Sequence, residues 1–350
     1  MSLEPLISVA KGEGVPSLLL KNARIVNVFT AEIEQANVAI HEGRIAGIGD
    51  YHDGREVIDL RGKYLAPGLI DGHIHIESSM LAVGEYAQAV VPRGVSGVVT
   101  DLHEIANVAG LRGMKYMLNC ARGLPFDFYL MAPSCVPATS LETSGARLSS
   151  EDIETALGWE NSIGLGEVMN FPGVLSCDEE VMKKIAASRG KVIDGHAPSL
   201  SGKGLNAYIA SGILSDHEST TFEEGREKLS RGMYLMIREG SSEKNLEELL
   251  PLVTDNTYKR CLFVVDDRSC SDLLRDGDID AVVRKAISLG LPPIRAIQLA
   301  TINTAEYFRL DRVGAVGPGY IANLIAFDNL SSFEVNMVFY RGRLVARDGE

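Results

Sequence analysis

The sequence has 350 residues, 45% apolar, 6% aromatic and 23% charged, which suits a sizeable buried core and excludes a largely disordered or collagen-like chain. Its 34 basic and 47 acidic side chains leave a formal charge of -13, which argues against sequence-independent binding to a nucleic-acid backbone. No apolar run approaches the roughly 18 residues of a membrane span, and the opening MSLEPLISVAKGEG lacks a basic flank before a long apolar core, so the expected setting is cytoplasmic, without a membrane partner.

In chain order, Ser17 to Ala66 reads as short strands and turns: LLLKNARIVNV, NVAIHEGRIAGIGD and REVIDLRGKYLAPG alternate apolar positions between Gly-containing breaks. From Leu69 to Leu310 apolar strand segments alternate with helical patterns, the order of parallel βα units. Eight strands are expected, near LIDGHIHI, VSGVVTDLH, FDFYLMAPS, SIGLGEVMN, KVIDGHAP, GILSDHES, GMYLMIREG and CLFVVDDR. Helices are expected in VAGLRGMKYMLNCARG, DEEVMKKIAASRG, KNLEELLPLV and IDAVVRKAISLG. The tail, GAVGPGYIANLIAFD and FEVNMVFYRGRLVARDG, returns to strands and turns. Eight βα units fit a (β/α)8 barrel or a doubly wound open sheet. Polar residues at the C-terminal end of nearly every strand favour the barrel, whose chemistry gathers at that rim.

The five cysteines are scattered with no C-x-x-C pair, so neither a disulfide framework nor a structural zinc site is expected. Of seven histidines, His73, His75, His103, His196 and His217 fall at expected strand ends, whereas His41 and His52 lie in the first strand set. Strand alternation puts Asp71, His73, His75 and Glu77 on one face and Ile70, Ile74 and Ile76 on the other. Two imidazoles two apart on a strand can share a metal. Glu167, His217, His196 and Asp266 add oxygen and nitrogen donors from further strand ends, a set suited to two divalent ions such as zinc, iron(II) or manganese. Asp71 and Asp194, each two before a histidine, read either as supports for the imidazoles or as strand-end hydrogen-bonding groups. The SLSGKGLN stretch reads as a rim loop rather than a phosphate nest.

Taken together, PGLIDGHIHIESSML, HEIANV, GEVMNFPGV, DGHAPSLSGKGLNAYIASGILSDHE, MIREGS, DDR and AIQLATINTAEYF resemble successive motifs of the adenine deaminase family of the amidohydrolase superfamily, from Leu18 to Arg343. The resemblance implies an α/β fold: a (β/α)8 TIM barrel over 67–311, with a small β-sandwich module made by 1–66 and the returning strands of 312–350. It implies a dinuclear centre, manganese or iron(II) with zinc as the alternative, in which His73 and His75 hold one ion, His196 and His217 the other, Glu167 bridges and Asp266 completes the ligands of the first ion. The implied reaction is attack of a metal-activated hydroxide on C6 of adenine, giving hypoxanthine and ammonia in purine salvage. Asp266 would shuttle the proton, and Glu77 and His103 would bind or protonate the ring. Another aminopurine, cyclic amide or imide is the alternative substrate class; a catalytically inert metal-binding protein is the alternative from another class. Two features depart from the family pattern. Val265 precedes the DDR and Ser269-Cys270 follows it, where the family usually has Thr and His-Pro, and Leu102 stands where its D-P-H-E has Pro. Family members usually continue into a further C-terminal domain, so a short form or a truncation is expected. Arg238 and Glu239 carry no assigned role. A homo-oligomer is expected from the acidic barrel class.

Overall fold

The computed structural model describes residues 3–139 and 141–350. A short helix, Glu4–Ala10, precedes strands β1 (Leu18–Asn27), β2 (Glu32–His41), β3 (Arg44–Gly49), β4 (Glu56–Asp59) and β5 (Tyr64–Pro67). The period of two in β1 sends Leu18 and Leu20 to one face and Leu19 to the other. The first pair joins a core with Val38, Ile40, Ile45 and Leu324, while Leu19 packs with Ala39 and Ala46 against Val9 of the helix. That helix is absent from the sequence expectations, since seven residues are too few to display a period.

The middle of the chain supplies β6 (Leu69–His75), β7 (Val95–Asp101), β8 (Asp127–Ala132), β9 (Ser162–Val168), β10 (Val192–Gly195), β11 (Ser215–Asp216), β12 (Tyr234–Arg238), β13 (Cys261–Val264) and β14 (Asp266–Asp267). These are the eight expected segments, the last divided at Val265. Every residue of β6 and β7 is buried, as in strands covered on both faces. The ladder stands as two sheets, ordered β10-β9-β8-β7-β6-β14 and β11-β12-β13, with parallel pairing at β6/β14, β8/β9, β9/β10, β11/β12 and β12/β13. The break falls beside β11, which is only two residues long. There the Leu214 amide still donates to Ile193 O at 3.2 Å, and the Gly195 amide donates to the Ser215 hydroxyl at 3.2 Å.

Of the expected helices, the first runs over His103–Cys120, earlier than its apolar pattern suggests, with Gly110 at φ 57° interrupting it. The second, Glu179–Ala187, is capped by Asp178. The third shortens to Leu246–Leu249 before a 3-10 turn, because Pro251 removes a donor and fixes its φ. The fourth is Ile279–Ser288.

The tail forms β15 (Leu324–Phe327), β16 (Val335–Tyr340) and β17 (Arg343–Arg347). They extend the terminal strands into one eight-stranded sheet, ordered β17-β16-β15-β5-β1-β2-β3 with β4 on β1. Its β2–β3 and β16–β17 hairpins turn on Glu42-Gly43 and Arg341-Gly342, all four at positive φ, the conformation a two-residue turn needs to match strand twist. The described chain divides into two compact units: one extends to Ile70 and adds Gln88–Gly97 and Gly277–Glu350; the other is Asp71–Ala87 with Val98–Asp276. No helix among the described residues is long and apolar enough to cross a membrane.

Candidate metal centre

Seven of the sequence-predicted side chains converge inside the second unit. His73 and His75 leave β6 with their Nε2 atoms 3.1 Å apart, and Asp266, at the start of β14, brings Oδ1 to 3.5 and 3.3 Å from them. Asp266 has φ 67°, a backbone region that costs a non-glycine residue energy and recurs at functional sites. Glu167 from β9 faces both ways. Its Oε1 is 3.4 Å from His75 Nε2 and 3.1 Å from His103 Nδ1, and its Oε2 is 2.6 Å from His196 Nδ1 and 3.0 Å from His217 Nε2. His73 and His217 stack, centroids 4.2 Å apart.

The backbone beneath is tied by carboxylates. Asp71 Oδ1 accepts from the His73 and Val265 amides at 3.1 and 3.2 Å, so it fixes the strand end. Asp194 Oδ1 likewise takes the Ser215 hydroxyl at 3.0 Å. Asp101 Oδ2 accepts the Glu167 amide at 3.0 Å. The Tyr208 hydroxyl donates to Val168 O and accepts the His196 amide, at 2.8 and 3.0 Å. Glu77, half-buried, accepts the Ile105 amide through Oε1 at 3.3 Å, holding the first turn of the helix from which His103 projects. In the SLSGKG loop the Ser199 and Gly202 amides are already taken by Glu224 and Glu227 at 2.8 and 3.0 Å, in keeping with a rim loop rather than a phosphate nest.

The electrostatics follow from this crowding. Burial, then the neighbouring His217, pushes His73 down to about 4. Burial disfavours the His217 and His103 imidazolium forms too, but Glu167 outweighs it and raises each to about 9. Burial favours neutral Glu167, yet hydrogen bonds from His103, His196 and His217 hold its carboxyl well below the usual range. Asp266 is held low against burial by His73 and His75. Glu77 rises to about 7 through burial and the nearby Glu104 charge.

A cation fits this donor set on tautomer grounds. His75 Nδ1 sits 2.8 Å from Asp101 O, and a carbonyl only accepts, so Nδ1 carries the hydrogen. In the neutral ring Nε2 is then a bare lone pair. It faces the carboxylate oxygens Asp266 Oδ1 and Glu167 Oε1, both electron-rich, at 3.3 and 3.4 Å, with His73 Nε2 at 3.1 Å. A proton or a metal ion relieves the opposition between lone pair and carboxylates, and nitrogen with carboxylate oxygen is the donor chemistry of borderline divalent metals. Among the described residues four groupings bring ligand atoms within 4.8 Å of one another: His73, His75 and Asp266; His73, Glu167 and His217; His75, His103 and Glu167; and His196, His217 and Glu218.

Glu218, Arg238 and Glu104 are the neighbours that residue patterns leave without roles. Glu218 Oε1 is 3.7 Å from His196 Nδ1 and 3.5 Å from His217 Nε2, and Arg238 pairs with Glu218 while donating to Asp266 Oδ2 at 2.8 Å. Glu104 lies 3.7 Å from His75 and 3.8 Å from His103. Strand alternation would turn Glu218 away from His217, but β11 ends at Asp216; an acid directly after a strand-end histidine was the available signal. Of the departures near the DDR, Val265 is fully buried, Ser269 caps the helix Cys270–Arg275 by accepting the Asp272 amide, and Cys270 is exposed.

Residues 64–345 match the model of the Amidohydrolase family. The chain is 62% identical over 349 residues to a protein named adenine deaminase from Dehalococcoides mccartyi (strain CBDB1), covering all of this chain and 61% of that protein. It is 51% identical over 348 residues to adenine deaminase 2 of Carboxydothermus hydrogenoformans, covering 99% of this chain and 61% of the relative. The chain thus spans about three fifths of the length of the curated relatives it matches. Among solved structures, a β-aspartyl dipeptidase from Fervidobacterium islandicum has a TM-score of 0.70 at 19% identity, covering 95% of this chain and 98% of that one. An enamidase described as a member of the amidohydrolase superfamily gives 0.70 at 17% identity, covering 95% and 96%. At such identities the two structures speak to fold alone.

Proposed function

The chain belongs to the amidohydrolase family, and on that basis we propose that it hydrolyses adenine to hypoxanthine and ammonia. The carrying observation is the Glu167 carboxylate, one oxygen turned to His75 and the other to His196 and His217. In this reading His73, His75 and Asp266 would hold one divalent ion and His196 and His217 a second, with Glu167 within reach of both sets; manganese or iron(II) is the favoured metal, with zinc as the alternative. Divalent ions in such a site supply water acidic enough to attack an electrophilic carbon at neutral pH.

The protein's own groups do the rest. The Asp266 carboxylate takes the proton of the attacking water and delivers it to the departing amino group, while Arg238 donates to Oδ2 and fixes the carboxylate's direction. His103 addresses the purine ring, and Glu77 supports it from the Ile105 amide. The two parallel sheets are taken as arcs of one (β/α)8 barrel over 67–311, with the Leu214 and Gly195 bonds linking them beside β11. The terminal sheet, formed by 1–66 and 312–350, is taken as the β-sandwich module. The protein would work in the cytoplasm on a free purine base.

The test is to reconstitute purified protein with manganese or iron(II) and follow hypoxanthine, ammonia and metal content in the same samples. Turnover that rises with bound metal is expected. Protein carrying two ions that leaves adenine untouched would overturn the substrate assignment and direct the assay to other aminopurines, cyclic amides and imides.

A further inference from the structure

Lys228, on the helix Phe222–Ser230, is fully buried. A buried ammonium is costly unless each donor is satisfied, and here all three are: Ala197 O at 2.9 Å, Asp216 Oδ2 at 2.8 Å and Glu224 Oε1 at 2.8 Å. Two of these acceptors flank the histidines of the centre. Ala197 follows His196, and Asp216 precedes His217. The link is doubled, because the Ala197 amide donates to Asp216 Oδ1 at 3.0 Å. Asp216 Oδ2 also accepts the Glu218 amide and the Ser219 hydroxyl, at 3.1 and 2.8 Å. The third acceptor, Glu224, carries the Ser199 amide, so one ammonium gathers both strand ends and the loop between them.

We infer that Lys228 is a positioning residue that sets the separation of His196 and His217, and that it acts on the ion these two hold and not on the ion of His73, His75 and Asp266. It touches neither imidazole. Its grip is on the backbone beside His196 and on the carboxylate beside His217, whereas β6 is tied separately, through Asp71, to Val265 just before β14. An apolar side chain of the same length would fill the volume without the desolvation cost, so the charge is explained by what it holds in register. The inference rests on the two-ion reading above.

The experiment is a cobalt(II) titration of the metal-stripped 350-residue chain, read by visible absorption and by counting bound ions, for wild type, Lys228→Met and His196→Asn. Wild type is expected to take two ions and His196→Asn one. Lys228→Met should keep one ion at wild-type affinity and bind the other at least about tenfold more weakly, the scale on which a ligand's supporting partner acts. The double variant Lys228→Met/Asp216→Asn, which leaves only the part-buried Glu224 without its cation and still holding the Ser199 amide, should fold and show the same selective loss. Two ions at wild-type affinity in either Lys228 variant, while His196→Asn loses one, would overturn the assignment alone; equal weakening of both ions would reduce Lys228 to a general structural role and overturn it too. Wild type that takes up no cobalt, or a His196→Asn variant that keeps both ions, would overturn the two-ion reading itself.

Discussion

Glu167 and Asp266 are both buried carboxylates among histidines, yet their surroundings give them different work. Glu167 has both oxygens committed to imidazoles, so Glu167→Gln should abolish metal retention and turnover together, as should His73→Asn. Asp266 is held on one side by Arg238; Asp266→Asn should therefore keep most of its metal while kcat falls about 10²- to 10⁴-fold, the usual worth of a positioned acid–base group. Metal analysis beside steady-state kinetics separates the cases, and substantial turnover in any of the three variants would remove the role given to that residue. The thiols offer a test independent of the metal. Burial pushes Cys261 up to about 12 and raises Cys135 as well, and the thiolate is the reacting form. At pH 8 iodoacetamide should label the exposed Cys177 and Cys270 and spare Cys135 and Cys261 until denaturant is added; labelling of all four at one rate in native protein would contradict their placement.

Between elements, the tightest approach near the centre is Gly166 of β9 against Asp101 of β7: a Cβ there would stand 1.9 Å from Asp101 Oδ2. Gly166→Ala must displace the carboxylate that receives the Glu167 amide. It should cost about 1–3 kcal/mol, as overpacked sites do, and weaken metal uptake; an unchanged urea midpoint and metal content would show that the strands give way freely. Such an approach cannot be read from one sequence, because nothing in G-L-G-E announces which strand lies opposite. What was legible is local. Alternation in LIDGHIHIES brought Asp71, His73 and His75 to one face, and the eight apolar segments became β6 to β14. The helix of His103–Cys120 starts five residues before its apolar pattern does, since its first turn is anchored by Glu77 from another element. Arg238 and Glu218 stayed without roles for the same reason: their partners are distant in sequence, and β11 is too short to obey strand alternation.

At the scale of the whole molecule, every residue of the centre falls within Asp71–Ala87 or Val98–Asp276, and none within the unit that holds the terminal sheet. A ligand that binds only the folded form stabilises what it binds by mass action, about 2.7 kcal/mol at a free concentration one hundred times its Kd. Local openings respond only where the ligand bridges the opening segments. Added manganese should therefore slow amide exchange at the strand ends that supply the ligands: 73–77, 166–170, 195–199, 215–219 and 265–268. Peptides from β1, β2, β15 and β16, whose core is Leu18, Ile25, Val38 and Phe339, should exchange at the metal-free rate. Hydrogen-exchange mass spectrometry with and without a chelator makes the comparison. Protection spread evenly over both units would mean that the metal acts on global unfolding and not on the segments that hold it, whereas protection confined to the terminal sheet would move the metal site out of the histidine cluster altogether.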